Sequence, residues 1–309
     1  MSDDLNAAHQ NAFDVLFNHW AELSDEELGG LIKTHLSSIP CGNANVSALR
    51  AYDALQDDES RFLYHCLYLN HVIKVVRKEE LARKWIVRVL KDRLLEKGKD
   101  LSGYDVYDEE FFFGKQYFSL SDKAWMSCGD NEIFVDCGAF EGKIIKEFVK
   151  FCGGKYDKIY SFEPIPSQYE NTLKNINDAG IKRIVHIQKG VWSSKTVFNF
   201  TDNFTSSRIA ADGTIPVEVI PIDEVIPENE RVTFIKMDVE GAEFEALKGA
   251  AKTILRCKPK LAVCIYHKPY DIIEIPTLIN LLGPEYKFYI RHHSQFSWET
   301  VLYALHPKA

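Results

Sequence analysis

The sequence predicts an α/β fold: a mostly parallel sheet that ends in an antiparallel hairpin, with a helical region ahead of it. Three observations predict it. From Glu132 onward, short apolar β-type runs alternate with amphipathic helical segments, an order that calls for a parallel sheet with right-handed crossovers. One unit of that alternation, EIFVDCGAFEG at 132–142 answered by KIYSFEP at 158–164, joins strand, glycine turn, helix, strand and terminal acid. Near the end, YKFYIRHH and TVLYAL are separated only by SQFSWE and form a hairpin.

Taken in order, residues 1–102 read as a helical N-terminal domain. Phe13, Leu16, Phe17 and Trp20 give an apolar stripe over 6–23, and Ser24 with Glu27 makes a capping box for a helix that stops at Pro40. Further helices are expected over 46–55, 59–76 and 79–95. The last has a lysine and arginine face, but Glu79, Glu80 and Asp92 mark it as solvated rather than nucleic-acid binding or membrane-bound. His65 and His71 lie six positions apart and share no helix face at ligand spacing. The region carries no legible chemistry; its candidate roles are homodimer formation or covering a cleft. Residues 103–130 form an aromatic, acidic connector that packs its rings on the next domain.

Residues 131–309 hold the sheet. EIFVD is the first strand and 143–152 its helix; KIYSFEP is the second and 167–179 its helix; RIVHIQKGVW is the third. TVFNFTD and TIPVEVIPIDEV break the alternation around a polar loop at 203–213. VTFIKMDVEGAEFEALKGAAKTIL is a fourth strand running into a helix, KLAVCIYHK a fifth strand, and 272–282 a helix.

Composition narrows the function. At 309 residues, 46% hydrophobic and 27% charged, the chain can bury a sizeable core. A net charge of -8 argues against nucleic acid as the partner, since phosphate binding needs a basic face. No apolar run approaches the ~18 residues of a membrane span, so no membrane is expected. Seven cysteines with no C-x-x-C spacing read as reduced packing thiols in a cytoplasmic protein.

The glycine turn narrows it further. A dinucleotide fold wants G-x-G-x-x-G, so that pyrophosphate sits on the helix N-terminus. Here Phe140 stands where the middle glycine would be, and Asp136 and Glu141 add negative charge. Two carboxylates suit a ligand with a cationic amino-acid end, and S-adenosylmethionine has that end. It also has a ribose for Glu163, which follows Gly142 by 21 residues, close to the usual offset of ~20.

With FVDCGAFEG, YSFEP, FIKMDVEGAEFEALKGA, the IYHK strand end and the late HH before ETVLYAL, the chain resembles the FkbM family of S-adenosylmethionine-dependent methyltransferases over about residues 117–306. The resemblance implies a Rossmann-like, seven-stranded methyltransferase sheet. It also implies O-methylation of a hydroxyl on a sugar, glycan or other natural product. One departure stands out: the family's GANxG is GAFEG here, which removes an amide that could touch the cofactor.

Ligands of open α/β sheets bind outside the carboxyl ends of the strands. Cofactor contacts are therefore expected from Asp136, Gly138, Ala139, Phe140, Gly142, Glu163, Pro164, Gly190, Val191 and Asp238. His267 is the expected base, with Glu240 orienting it or the acceptor, while Glu243 reads as a cap on the following helix. Asp238, Glu240, His267 and His292 also offer donors for a divalent cation, but without close ligand spacing no metal is expected. Which of His292 and His293 faces the site stays open. Two other readings compete, a nicotinamide-dependent oxidoreductase and a silent nucleotide-binding module. The missing glycine and MDVEGAE oppose the first, and the intact rim of acids and histidines opposes the second.

Overall fold

The structure, a computed structural model, describes residues 51–58, 60–61, 63–64, 67, 116–118, 128–201, 213–268, 270–293 and 299–308. The helices expected over 6–23, 24–39 and 79–95, His65 and His71, most of the connector and the loop at 203–212 lie outside these residues.

Seven strands form the main sheet: β1 (Glu132–Cys137), β2 (Tyr156–Phe162), β3 (Ile184–Ile187), β7 (Phe234–Met237), β8 (Lys260–Cys264), β9 (Lys287–His292) and β10 (Thr300–Leu305). Their order is β3-β2-β1-β7-β8-β10-β9, parallel from β3 to β8 and antiparallel through the last two. This is the expected seven-stranded sheet with its terminal hairpin. The chain turns back between β3 and β7, so the ends of β1, β2 and β7 face a common crevice.

Helices α1 (Lys143–Phe151), α2 (Pro166–Asp178), α3 (Glu243–Gly249), α4 (Ala251–Cys257) and α5 (Asp271–Leu282) cover the two faces. Strand β1 is buried on both sides, as central parallel strands are. Its Val135 and Cys137 join one core and its Phe134 the other. The second core is aromatic. Phe134 stacks on Phe148 at 4.3 Å, and Phe118 packs on Phe134, Phe148, Phe151 and Phe234. The rings of Tyr117 and Phe118 thus pack on the sheet, as expected of the connector.

Three details differ from the sequence reading. RIVHIQKGVW is not one strand: it breaks after Ile187, and Gly190–Val191 form β4 in a second sheet, β4-β6-β5, with β5 (Thr196–Phe200) and β6 (Ile215–Ile220). The helix after β7 is likewise two, α3 and α4, with a break at Ala250. The break stands where the helix passes close to Trp192: a Cβ on Gly249 would lie 2.0 Å from the Trp192 carbonyl oxygen. Finally, Cys128 and Cys152 are joined by a disulfide with Cα atoms 5.3 Å apart, which corrects the expectation that all seven cysteines are reduced. The argument for a cytoplasmic setting that rested on reduced thiols goes with it. Cys137, Cys257 and Cys264 are buried free thiols, as expected.

A disulfide across a separation of 24 residues limits the unfolded chain, and a loop of that size is worth about 3 kcal/mol. Cys152→Ser, or reductant on the native protein, should lower unfolding stability by that amount in urea titrations. An unchanged midpoint would mean the bond carries no stability.

Residues from the N-terminal region reach the sheet's edge. Leu55 bridges Phe288 of β9, the Gln56 amide donates to the Phe288 carbonyl, and Ser60 Oγ accepts from Ile290. Arg291 forks onto Asp57 at 2.7 and 3.2 Å. Ala51, Tyr52, Leu55, Leu63, Tyr64 and Leu67 enter the same core as β9. An edge strand with open N–H and C=O groups invites stray pairing, and here the chain covers its own. Among the described residues, no helix is long and apolar enough to cross a membrane.

Candidate active site

The turn after β1 is built from backbone conformations that ordinary residues avoid: Gly138, Phe140 and Gly142 have φ of 84, 46 and 72°. The amides of Gly138 and Ala139 both donate to the Phe162 carbonyl at 3.1 Å, which ties the turn to β2. Thr172 of α2 donates its hydroxyl to the Phe140 carbonyl, and Asn175 donates to that of Glu141. Gly142 then caps α1 with no side chain over its N-terminus.

Glu163 sits beside this turn. Its Oε2 accepts the Phe140 amide at 2.9 Å and its Oε1 the Ile165 amide at 3.0 Å. The Phe140 backbone N–H aims Glu163, and its ring is exposed. Burial raises the Glu163 carboxyl to about 7, against those two amides and the Lys236 charge. Gly190 lies next to Pro164: a Cβ on Gly190 would stand 3.7 Å from that of Pro164. Val191 is buried in the core.

Asp136 is fully buried beneath the turn rather than on an open rim. Its Oδ1 lies 3.3 Å from Lys236 Nζ, and neither carboxylate oxygen has a hydrogen-bond partner among the described residues. Burial raises its pKa, with Lys236 opposing. Lys236 also donates to the carbonyls of Cys137 and Gly138, at 3.3 and 2.7 Å. Its burial would lower its pKa, but Asp136 and Asp238 more than offset that. The sequence reading passed Lys236 over, although a lysine within FIKM on a central strand is itself a signal, because both faces of such a strand are buried.

The ends of β7 and β8 bring a second group together. His267 Nδ1 is 2.8 Å from Glu243 Oε1, and its Nε2 is 3.6 Å from both Asp238 Oδ1 and Glu240 Oε2. The N–H directions are not lined up on these oxygens, so the contacts are ionic more than hydrogen-bonded. Asp238 is fixed by two phenols, Tyr117 to Oδ2 at 2.9 Å and Tyr266 to Oδ1 at 3.3 Å. Glu243 Oε1 also accepts the Val239 amide at 2.9 Å, which lies in the turn before α3, so Glu243 braces that turn instead of capping the helix as the sequence suggests, and the same oxygen touches His267. That second role is the one the sequence assigned to Glu240.

Burial alone would lower the His267 pKa; the carboxylates of Glu243, Asp238 and Glu240 reverse this and raise it to about 10. Burial pushes Glu240 up to about 7, with the nearby acids adding and His267 opposing. Glu299, a further residue that sequence reasoning missed, reaches the same centre from the end of the hairpin. It accepts from Gln116, and burial with the Asp238 charge raises it to about 7. His292 and His293 hydrogen-bond within the hairpin, to Thr300 Oγ1 and Tyr303 O–H, both at 2.8 Å.

Comparison with known proteins now settles the family. Residues 136–289, from Asp136 into the terminal hairpin, match the methyltransferase FkbM domain. The chain belongs to the FkbM methyltransferase family. The crystal structure of an FkbM methyltransferase from Methylobacillus flagellatus is 25% identical with a TM-score of 0.58, over 84% of this chain and 58% of that one. Hexuronic acid methyltransferase AglP of Haloferax volcanii is 24% identical over 102 residues, 31% of this chain and 42% of that protein. The chain thus spans less than two thirds of either relative. The FkbM assignment carries with it S-adenosylmethionine as cofactor, and the residues here fit that group. Asp238 offers a partly exposed carboxylate to a cationic group, and Glu163 has spare lone pairs for hydroxyls.

Proposed function

We propose that this chain transfers a methyl group from S-adenosylmethionine to a hydroxyl of a sugar-like acceptor. The observation that supports it most is the placing, along one edge of the sheet with β1 between them, of a carboxylate braced by two amides, Glu163, and the acid–imidazole cluster of Asp238, Glu240, Glu243 and His267. When bound, the cofactor supplies a methyl group on a sulfonium centre. Glu163 takes the ribose hydroxyls. The partly exposed Asp238 supplies the negative charge for the amino-acid end, while Asp136, buried with Lys236, holds the turn from beneath. Gly138, Ala139, Phe140 and Gly142 form the turn against which the cofactor lies, while Pro164, Gly190 and Val191 wall the space beyond β2.

The acceptor hydroxyl must lose a proton as the new bond forms. Asp238 is held by two phenols and Glu243 by an amide and His267, whereas Glu240 is the most exposed carboxylate of the group, at 36%. The proton therefore goes to Glu240, not to His267 as the sequence suggests. His267, clamped by Glu243, sets the field around it. AglP takes its name from hexuronic acid, and on that likeness hexuronic acids and neutral sugars head the acceptor panel. A homodimer through residues 1–102 belongs to the same reading and is checked by sedimentation.

Calorimetry with S-adenosylhomocysteine tests the cofactor half. Losing a hydrogen-bonded charge costs about 1.5–3 kcal/mol, so Glu163→Ala should bind the product ten- to a hundred-fold more weakly. Because the Glu163 pKa is raised to about 7, its charged form is complete above that pH and lost below it. Wild-type affinity should then fall about ten-fold between pH 8.5 and pH 5.5, and the Glu163→Gln variant should lose this dependence. A flat wild-type profile with full affinity in Glu163→Ala removes Glu163 from the site.

A further inference from the structure

We propose that Asp238, Glu243 and His267 bind a first-row divalent cation of the Mn2+ type, through one imidazole nitrogen and two carboxylate oxygens. Ligand atoms from the three residues all lie within 4.8 Å of one another. Ligands at about 2.0–2.2 Å from a common ion stand roughly 3–4.4 Å apart, so a side-chain movement under about 1 Å completes the set. The inference rests on the methyltransferase reading only for what the ion would do, not for whether it binds.

The three residues are more than a cluster of acids. The Glu243 side chain is fully buried and that of His267 is 10% exposed. Glu243 Oε2 has no hydrogen-bond partner among the described residues, and His267 Nε2 meets carboxylate oxygens only at 3.6 Å, beyond hydrogen-bond reach. Buried polar atoms of that kind are rare unless something absent from the bare chain satisfies them. The nearest buried cation does not do so: Lys236 points its ammonium at Asp136 and at the carbonyls of Cys137 and Gly138.

The donor set selects the ion. Mg2+ and Ca2+ favour all-oxygen sites, whereas an imidazole beside carboxylates suits Mn2+, Fe2+ or Zn2+. The two phenols on Asp238 would then be outer partners that fix a ligating carboxylate, as metal ligands commonly have. Three protein ligands leave positions open for an acceptor oxygen. An ion there would make that hydroxyl more acidic and ease transfer of its proton to Glu240.

The test is Mn2+ titration of chelator-stripped protein, reading free Mn2+ by electron paramagnetic resonance. Wild type should take up one equivalent at sub-millimolar concentration, and Zn2+ should displace it. Glu243→Gln and Asp238→Asn, checked for folding by circular dichroism, should each bind at least ten-fold more weakly; if one does not fold, the other decides. Wild type that leaves the Mn2+ signal undiminished, or variants that bind as wild type does, would overturn the proposal. Calorimetry with S-adenosylhomocysteine on the same stripped protein separates the two ideas. Product binding without Mn2+ uptake sinks the cation alone, whereas failure of product binding strikes the methyltransferase reading.

Discussion

Glu240→Gln should lower methyl transfer by about 10²–10⁴-fold while leaving S-adenosylhomocysteine affinity and the fold as they are. The substitution keeps size and polarity and removes only the ability to accept a proton. Glu240 is held at a positive φ of 54°, next to Gly241 at 91°, in the turn between β7 and α3, and its carboxylate is partly exposed. Glutamine tolerates the same conformation about as well, so a stability change is not expected. The measurement is single-turnover transfer of a labelled methyl group to whichever sugar of the panel wild type accepts. His267→Ala gives the contrast: it removes a charge that acts on Glu240, so its turnover should depend differently on pH while some activity survives. Full turnover in Glu240→Gln would leave positioning as the chain's sole contribution.

The second large effect is expected at Gly138. A Cβ there would stand 1.9 Å from the backbone oxygen of Asp238 and 3.1 Å from its carbonyl carbon, at a φ of 84°. Both obstacles are backbone, so no side-chain rotation relieves them. The turn after β1 would have to move away from the end of β7, parting the two halves of the site. Gly138→Ala should cost about 2–5 kcal/mol, combining overpacking with the left-handed backbone, and should abolish product binding even where the protein still folds. Gly142→Ala is the control. Its Cβ would meet the Thr172 methyl at 3.2 Å, Ile176 Cγ1 at 3.6 Å and the Thr172 carbonyl oxygen at 3.7 Å, and the cost should be about 1–2 kcal/mol with a smaller loss of binding than at Gly138. Thermal melts and calorimetry on both variants check the order; equal losses at the two positions would mean that strain, not the Asp238 contact, governs.

Placements that follow from position along the chain were legible in the sequence. Glu163 is one, because the offset from a glycine turn to the end of the next strand is nearly constant in such units. The terminal hairpin is another, since two β runs six residues apart have little else to do. Roles that depend on contacts between distant elements were not legible. Glu243 looks like a cap because acids at a helix start usually are, and only the approach of β8 beside β7 brings His267 to it. Glu299 lies 61 positions beyond Asp238 and meets its field only after the hairpin folds back. Lys236 is hidden differently, for alternation along a strand suggests a solvent face that a central strand lacks. The break after Ile187 escaped because Val191 and Trp192 resume the apolar run beyond the weak strand formers Lys189 and Gly190 while the partner strand changes.

The bond between Cys128 and Cys152 has a topological result. The residues between them contain all of β1, the turn from Gly138 to Gly142 and all of α1, so this stretch is a covalent ring, entered and left through one pair of sulfurs. A protease cut at the exposed Glu141 would leave both fragments attached until the ring was reduced. The ring also limits how far its own contents can open without the rest of the sheet. Amide hydrogen exchange should show this: reductant should speed exchange at Ile144–Phe151 well before it does so at Leu261–Cys264, across the sheet and outside the loop.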